Sequence, residues 1–297
     1  MPLFMLISGF CTYNISRITD FHWLVKRAKV LMVPFVIWCV LPYVVNGMYD
    51  YRQWVFRISF AFMDPDNGSY WFLFILFLNC CILFLVNKCS KIKAIQMFIS
   101  LFIFLLLQLV TVSFNVHSYG MDALAFYSVF YFIGYFSRAN NYNINIGPTK
   151  SNFVVLMVCI SIYGIGLIQY SRTGIPNIIL NANFKWQAQI WINTLYRIVI
   201  GVAGSLMFSF VVVMCNRIEK IHIGELLEIL GKHTIEIYVL HLYGFGIIPY
   251  NGTNIYICVM IKVIGGFLFS FLIMKLIYGC RLELLLFGRG GYKGETK

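Results

Sequence analysis

The chain has 297 residues, of which 60% are hydrophobic, 18% aromatic and only 11% charged, with a net charge of +12. A soluble domain carries about 25% charged and 45–50% apolar residues, so this composition and a mean hydropathy of +0.80 exclude a water-soluble globule. The length leaves room for roughly ten membrane-crossing helices of ~20 residues with short loops.

Nine apolar runs read as spans in chain order: 1–13, 30–46, 70–86, 94–113, 123–136, 152–170, 189–214, 235–250 and 255–278. Hydrocarbon offers no partner to backbone N–H and C=O groups, so spans must be helices or closed barrels. The period-2 alternation of barrel strands is missing from runs such as Phe98–Val110. The expected fold is therefore all-α, a polytopic bundle of about nine transmembrane helices forming a single domain over 1–297. Between the spans, 47–69, 171–188 and 215–234 read as the longest loops. The last is amphipathic, with Ile218, Ile221, Leu226, Leu227, Ile229 and Leu230 able to lie on a membrane surface.

The charges alternate with the loops. Segments 14–29, 87–93, 137–151, 215–234 and 279–297 hold sixteen of the 23 Lys and Arg residues; the intervening loops hold four, and Arg197, Lys262 and Lys275 fall inside spans. That is a positive-inside pattern, and it places the C-terminus in the cytoplasm. The basic excess is thus topological, and nucleic acid is not an expected partner. Nine spans then put the N-terminus outside, although run 1–13 is about half the length needed to cross. This oddity suggests a chain cut short at its start. No basic segment precedes that run, as a cleavable signal would require. The nine cysteines form no CxxC and are odd in number, a poor disulfide framework and a poor zinc site. They read as small hydrophobes, and no metal is expected.

Polar groups inside spans are the functional candidates, because burying them in lipid is unfavourable. Arg197 either faces an aqueous cavity, where it could hold a carboxylate, phosphate or carbonyl, or snorkels to a boundary about two turns away. Lys262 has a similar position and Lys275 reads as an anchor. His241, in an apolar run near mid-membrane, is either an acid–base group or a hydrogen-bonded helix–helix contact. Glu236 reads as an interfacial group at the start of the same run. Lys26, Arg27 and Lys29 stand directly before span 30–46, suiting either a polyphosphate ligand or simple membrane anchoring. Asp64 to Ser69 form a turn-rich acidic tip, a solvated turn or a site for sugar hydroxyls or a cation. Tyr70 and Trp71 follow it as an aromatic belt.

Five stretches taken together resemble the integral-membrane acyltransferase 3 family, which includes polysaccharide O-acetyltransferases. Met1-Pro2-Leu3-Phe4-Met5-Leu6-Ile7-Ser8-Gly9-Phe10 is similar to the family's second helix, and Lys26-Arg27-Ala28-Lys29 with Pro34-Phe35-Val36-Ile37-Trp38 is similar to its basic motif and the helix after it. Tyr70-Trp71-Phe72-Leu73, Phe130-Tyr131-Phe132-Ile133-Gly134-Tyr135 and Leu230-Gly231-Lys232 through Ile237-Tyr238-Val239-Leu240-His241 match later stretches in order. The resemblance implies ten helices that take an acyl group, typically acetyl, from cytoplasmic acyl-CoA and pass it to a hydroxyl of a cell-envelope glycan or lipid-linked sugar. It implies a bacterial cytoplasmic (inner) membrane. It also implies that Arg27, helped by Lys26 and Lys29, holds the CoA phosphates, although Val30 stands where the family pattern has a second arginine. Arg197 and Trp71 would line the substrate cavity. The family's catalytic histidine belongs to a first helix expected before Met1, so His241 is a site-lining candidate more than the base. The competing readings are a transporter or flippase of lipid-linked sugars, and a degenerate member that serves as an assembly partner.

Overall fold

The computed structural model describes residues 1–13, 18–47, 49–63, 70–114, 120–140, 150–169, 176, 185–216, 223–247 and 255–288. Among these residues the chain forms twelve helices and no strand: α1 (Pro2–Thr12), α2 (Phe21–Val45), α3 (Tyr51–Met63), α4 (Trp71–Cys89), α5 (Lys93–Phe114), α6 (Met121–Ala139), α7 (Lys150–Gln169), α8 (Trp186–Asn216), α9 (Ile223–Lys232), α10 (Thr234–Ile247), α11 (Ile255–Gly279) and α12 (Glu283–Phe287). The all-α expectation holds, and each of the nine apolar runs lies on a helix.

Six of the helices, α2, α4, α5, α7, α8 and α11, are long and apolar enough to cross a membrane. They present large apolar side chains outward, among them Phe98 on α5, Ile168 on α7 and Leu268 on α11, as lipid-facing surfaces do. Of the other three, α1 has 11 residues and α10 has 14. Helix α6 is long enough, at 19 residues, but less apolar and carries Asp122 and Arg138. Its burial explains this: twelve of its residues, from Ala123 to Ala139, are covered by protein. A helix screened by its neighbours need not be apolar all round.

Three segments depart from the sequence expectation. The loop expected over 47–69 contains α3. Its covered positions Trp54, Ile58 and Ala61 recur at i, i+4 and i+7, a helical stripe on a segment polar enough to pass for a loop. Helix α2 starts at Phe21, nine residues before the apolar run, just after Asp20, a residue type favoured at N-caps. The expected tail 279–297 contains α12. The amphipathic stretch supplies α9, where the Lys232 ammonium lies 2.6 Å from Glu228 and holds that carboxyl below its usual range. The acidic tip Asp64–Ser69 and most of 171–188 lie outside the described residues.

The chain divides into two compact units, residues 1–20 with 78–223 and residues 21–77 with 224–297, the boundary falling inside α4. In the first, α6 packs against α1, α5 and α8, and α7 packs on α8. A buried polar network ties this unit together. Asn87 Oδ1 accepts from Gln96 Nε2 at 3.0 Å and from the Tyr135 hydroxyl at 3.1 Å, while Asn87 Nδ2 donates to the Leu83 carbonyl. Such groups need partners when water is excluded, and they join helices where apolar side chains cannot distinguish neighbour from lipid.

The second unit is built on aromatic packing. Phe35 of α2, Phe62 of α3 and Phe74 of α4 form a mutual cluster with ring centroids 5.1–5.7 Å apart. The backbone N–H of Phe72 donates to the Tyr238 hydroxyl of α10 at 3.3 Å. Helices α10 and α11 meet at small residues, since a Cβ on Gly244 would stand 2.7 Å from the Gly266 Cα. This close backbone approach is a common membrane-helix contact. Helix α12 returns to α2.

Candidate functional site

The sequence candidates are dispersed. Lys26, Arg27 and Lys29 sit on α2, in its second and third turns and not at its N-terminus, so no helix-end N–H groups accompany them. Lys26 and Lys29 are exposed, and Arg27 is half-buried with its guanidinium 5.8 Å from the Trp23 ring centroid. Arg197 is an exposed residue of α8 with its guanidinium 4.6 Å over the Phe126 ring of α6. That is a cation–π contact on the face of the first unit. Trp71 is half-buried at the start of α4, edge-on to Phe72 at 6.1 Å.

His241 is half-buried on α10, with Nδ1 3.1 Å from the Ile237 carbonyl of the preceding turn. A carbonyl only accepts, so Nδ1 carries a proton. The ring packs between Tyr238, at 5.8 Å, and Phe245, edge-on at 5.1 Å. Five residues earlier Glu236, in the first turn of α10, is fully buried. The Tyr278 hydroxyl of α11 donates to its Oε1 at 2.9 Å, and His233 Nδ1 lies 4.0 Å from the same oxygen. This carboxylate joins α10 to α11.

A cavity of about 350 Å³ lies within the second unit, at the lower end of the ~300–1,000 Å³ of small-molecule sites. Helix α2 contributes Trp38, Cys39, Pro42 and Tyr43; α3 contributes Arg57, Phe60 and Ala61. Tyr70 comes from the start of α4, and Leu242 and Tyr243 from α10. Of the residues named from the sequence, Trp38 and Tyr70 line it, whereas Lys26, Arg27, Lys29, Trp71, Arg197 and His241 are not among its lining; Trp71 and His241 are direct sequence neighbours of the lining residues Tyr70 and Leu242. Missing α3 meant missing Arg57, and the period of its covered residues was the available signal.

The walls are held firmly. Trp38 is 4% exposed; its Nε1 donates to the Leu286 carbonyl of α12 at 3.0 Å. Its ring stacks on Phe287, with centroids 6.1 Å apart, and tilts against Tyr243 at 5.4 Å. Arg57 lies with its guanidinium 4.8 Å over the Tyr43 ring. The Tyr243 hydroxyl is buried beside the Tyr70 phenol, and the two side chains interact. A concave surface that is half aromatic, with Arg57 its one cation among the described residues, can hold a small polar ring.

An all-α chain with six helices long and apolar enough to cross a membrane defines an integral, multi-pass membrane protein, and its second unit holds a cavity lined in half by aromatic side chains. The family model for the acyltransferase domain of the acyltransferase 3 type matches residues 1–281, and the chain belongs to that family. No curated protein and no solved structure matches significantly.

Proposed function

We propose that the protein transfers an acyl group, acetyl, from acyl-CoA to a hydroxyl of a cell-envelope glycan or lipid-linked sugar in a bacterial cytoplasmic membrane, as one acyltransferase domain with its C-terminus inside. Membership of the acyltransferase family is the observation that carries this reading. The alternation of basic loops supports the orientation, which sets Lys26, Arg27 and Lys29 on the cytoplasmic side and α3 with the cavity mouth on the other. The three cations suit the phosphates of CoA, Arg27 through its planar fork and the lysines as point charges.

The chemistry is an acyl substitution. The acceptor hydroxyl oxygen attacks the thioester carbonyl carbon, the new C–O bond forms, the C–S bond breaks, and the hydroxyl proton passes to a base. The CoA thiolate leaves and takes up a proton. The deprotonating base must lie within hydrogen-bond reach of the hydroxyl. His241 packs beside the site and is not assigned as that base. The acceptor ring occupies the aromatic cavity.

The test is the full protein reconstituted in liposomes with radiolabelled acetyl-CoA and envelope glycan from a producing bacterium. Label should move to alkali-labile ester on the glycan, and replacing Lys26, Arg27 and Lys29 together by Gln should raise the KM for acetyl-CoA about tenfold or more. Sugar flux across the liposome without consumption of acetyl-CoA would overturn the enzyme reading in favour of transport.

A further inference from the structure

We infer that the cavity between α2, α3 and α10 selects an anionic sugar, a saccharide ring bearing a carboxylate or phosphate, and that Arg57 recognises the charge. The assignment of this sugar as the acyl acceptor rests on the acyltransferase reading; the binding itself rests on the side chains.

Four observations converge. First, Trp38, Tyr43, Tyr70 and Tyr243 line the cavity from α2, α10 and the turn before α4. Their flat apolar faces and polar edges match a ring with C–H faces and a hydroxyl rim. Second, among the described residues Arg57 is the one charged residue of the lining, with no Asp or Glu beside it there. The field of these residues favours an anion. Third, Arg57 is exposed and rests on the Tyr43 ring at 4.8 Å, with no carboxylate partner within ion-pair distance among the described residues. Stacking fixes the guanidinium plane while its N–H edge stays available for a planar oxyanion, the geometry in which Arg exceeds Lys. Fourth, the Tyr70 and Tyr243 hydroxyls lie beside each other on the wall. Two adjacent phenols keep donor and acceptor capacity that the hydroxyls of a sugar would use.

The arrangement separates the tasks. The aromatic walls and Tyr243 accept any pyranose of the right size, and Arg57 at the mouth discriminates by charge. A neutral sugar would leave the guanidinium's donors facing water, and a free anion without a ring would forgo the aromatic contact. An anionic phospholipid headgroup shares the phosphate but not the ring, so the experiment must set lipid against sugar.

Binding is measured calorimetrically on the full chain in neutral phosphatidylcholine nanodiscs. Methyl glucuronide and glucose 6-phosphate should each bind about tenfold or more tightly than methyl glucoside, and inorganic phosphate should bind more weakly than glucose 6-phosphate. Arg57→Gln should abolish the preference for charged sugars, so that methyl glucuronide binds no more tightly than methyl glucoside. Arg57→Lys should retain part of it. Tyr243→Phe should weaken charged and neutral sugars alike, by about threefold. Equal binding of methyl glucuronide and methyl glucoside, or a preference that survives Arg57→Gln, overturns the inference. So does loss of glucuronide binding when phosphatidylglycerol replaces part of the neutral lipid, because the occupant is then a headgroup. Acetyl transfer to neutral glycans alone would remove the anionic selection and leave the acyltransferase standing. Charge-selective binding with no transfer to any acceptor would do the reverse.

Discussion

Gly9 of α1 and Gly134 of α6 are reciprocal halves of one helix crossing. A Cβ on Gly9 would stand 1.9 Å from the Tyr131 carbonyl oxygen, and a Cβ on Gly134 would stand 1.9 Å from that of Leu6. Each glycine admits the backbone of the other helix. They belong to two of the stretches that carry the family resemblance, so those stretches meet in space and one function of both is to let α1 and α6 touch. In lipid, where apolar side chains gain nothing by leaving one hydrocarbon for another, close backbone packing is a principal source of helix association.

Gly134→Ala should therefore destabilise the protein by about 3 kcal/mol, because the obstructing atoms are backbone and the helices must separate to admit a methyl group. Gly164 on α7 is the control: nothing lies within 4 Å of a Cβ built there, and Gly164→Ala should be neutral or slightly stabilising. Thermal melting of the protein in mild detergent compares the two. Equal melting temperatures for both variants would show that the crossing does not limit stability.

Helix α12 lies beyond the matched residues 1–281 yet is bound to the cavity wall through Trp38. Phe287 is fully buried against that indole. Gly288, at φ +64, closes the contact, since a Cβ on it would lie 2.2 Å from the Lys29 carbonyl oxygen. Phe287→Ala should cost about 3–5 kcal/mol if the site does not collapse. Trp38→Phe should cost about 1 kcal/mol through the lost hydrogen bond to Leu286. Both should raise the KM for acceptor more than that for acetyl-CoA, a split read from initial rates with each substrate varied in turn.

The Glu236–Tyr278 bond predicts an ordered series. Glu236→Gln keeps an acceptor for the Tyr278 hydroxyl and should cost about 1 kcal/mol. Glu236→Ala removes the acceptor, strands that hydroxyl and opens a void, and should cost about 3 kcal/mol or more. Melting of both variants, with Tyr278→Phe for comparison, gives the order; equal losses for Gln and Ala would show that the hydrogen bond contributes nothing.

The helices were legible where composition alone decides them. Runs such as 94–113 are apolar throughout, and lipid permits them only one form. Helix α3 was not, because its covered stripe of Trp54, Ile58 and Ala61 is interrupted by Arg52 and Arg57, and overall polarity outweighed period. The cavity was still less legible. Trp38, Arg57, Tyr70 and Tyr243 each have an ordinary reading as membrane-interface residues, and only packing of α2, α3 and α10 brings them to one surface. His241 stood out as a polar group in an apolar run, but its Nδ1 is taken up by the Ile237 carbonyl, a demand that a sequence does not display.

That hydrogen bond separates two roles for His241 kinetically. A group that only packs beside the site through Tyr238 and Phe245 should lose less than about tenfold in kcat on His241→Gln, whose amide can still donate to the Ile237 carbonyl. General-base catalysis contributes about 10²–10⁴-fold, so a deprotonating base would lose at least about a hundredfold, and its removal would abolish the acidic limb of the kcat/KM–pH profile. A small loss with that limb retained supports the packing role; a large loss with the limb removed would make His241 the base. Measuring the profile with saturating acetyl-CoA, for the wild type and for His241→Gln, decides between them.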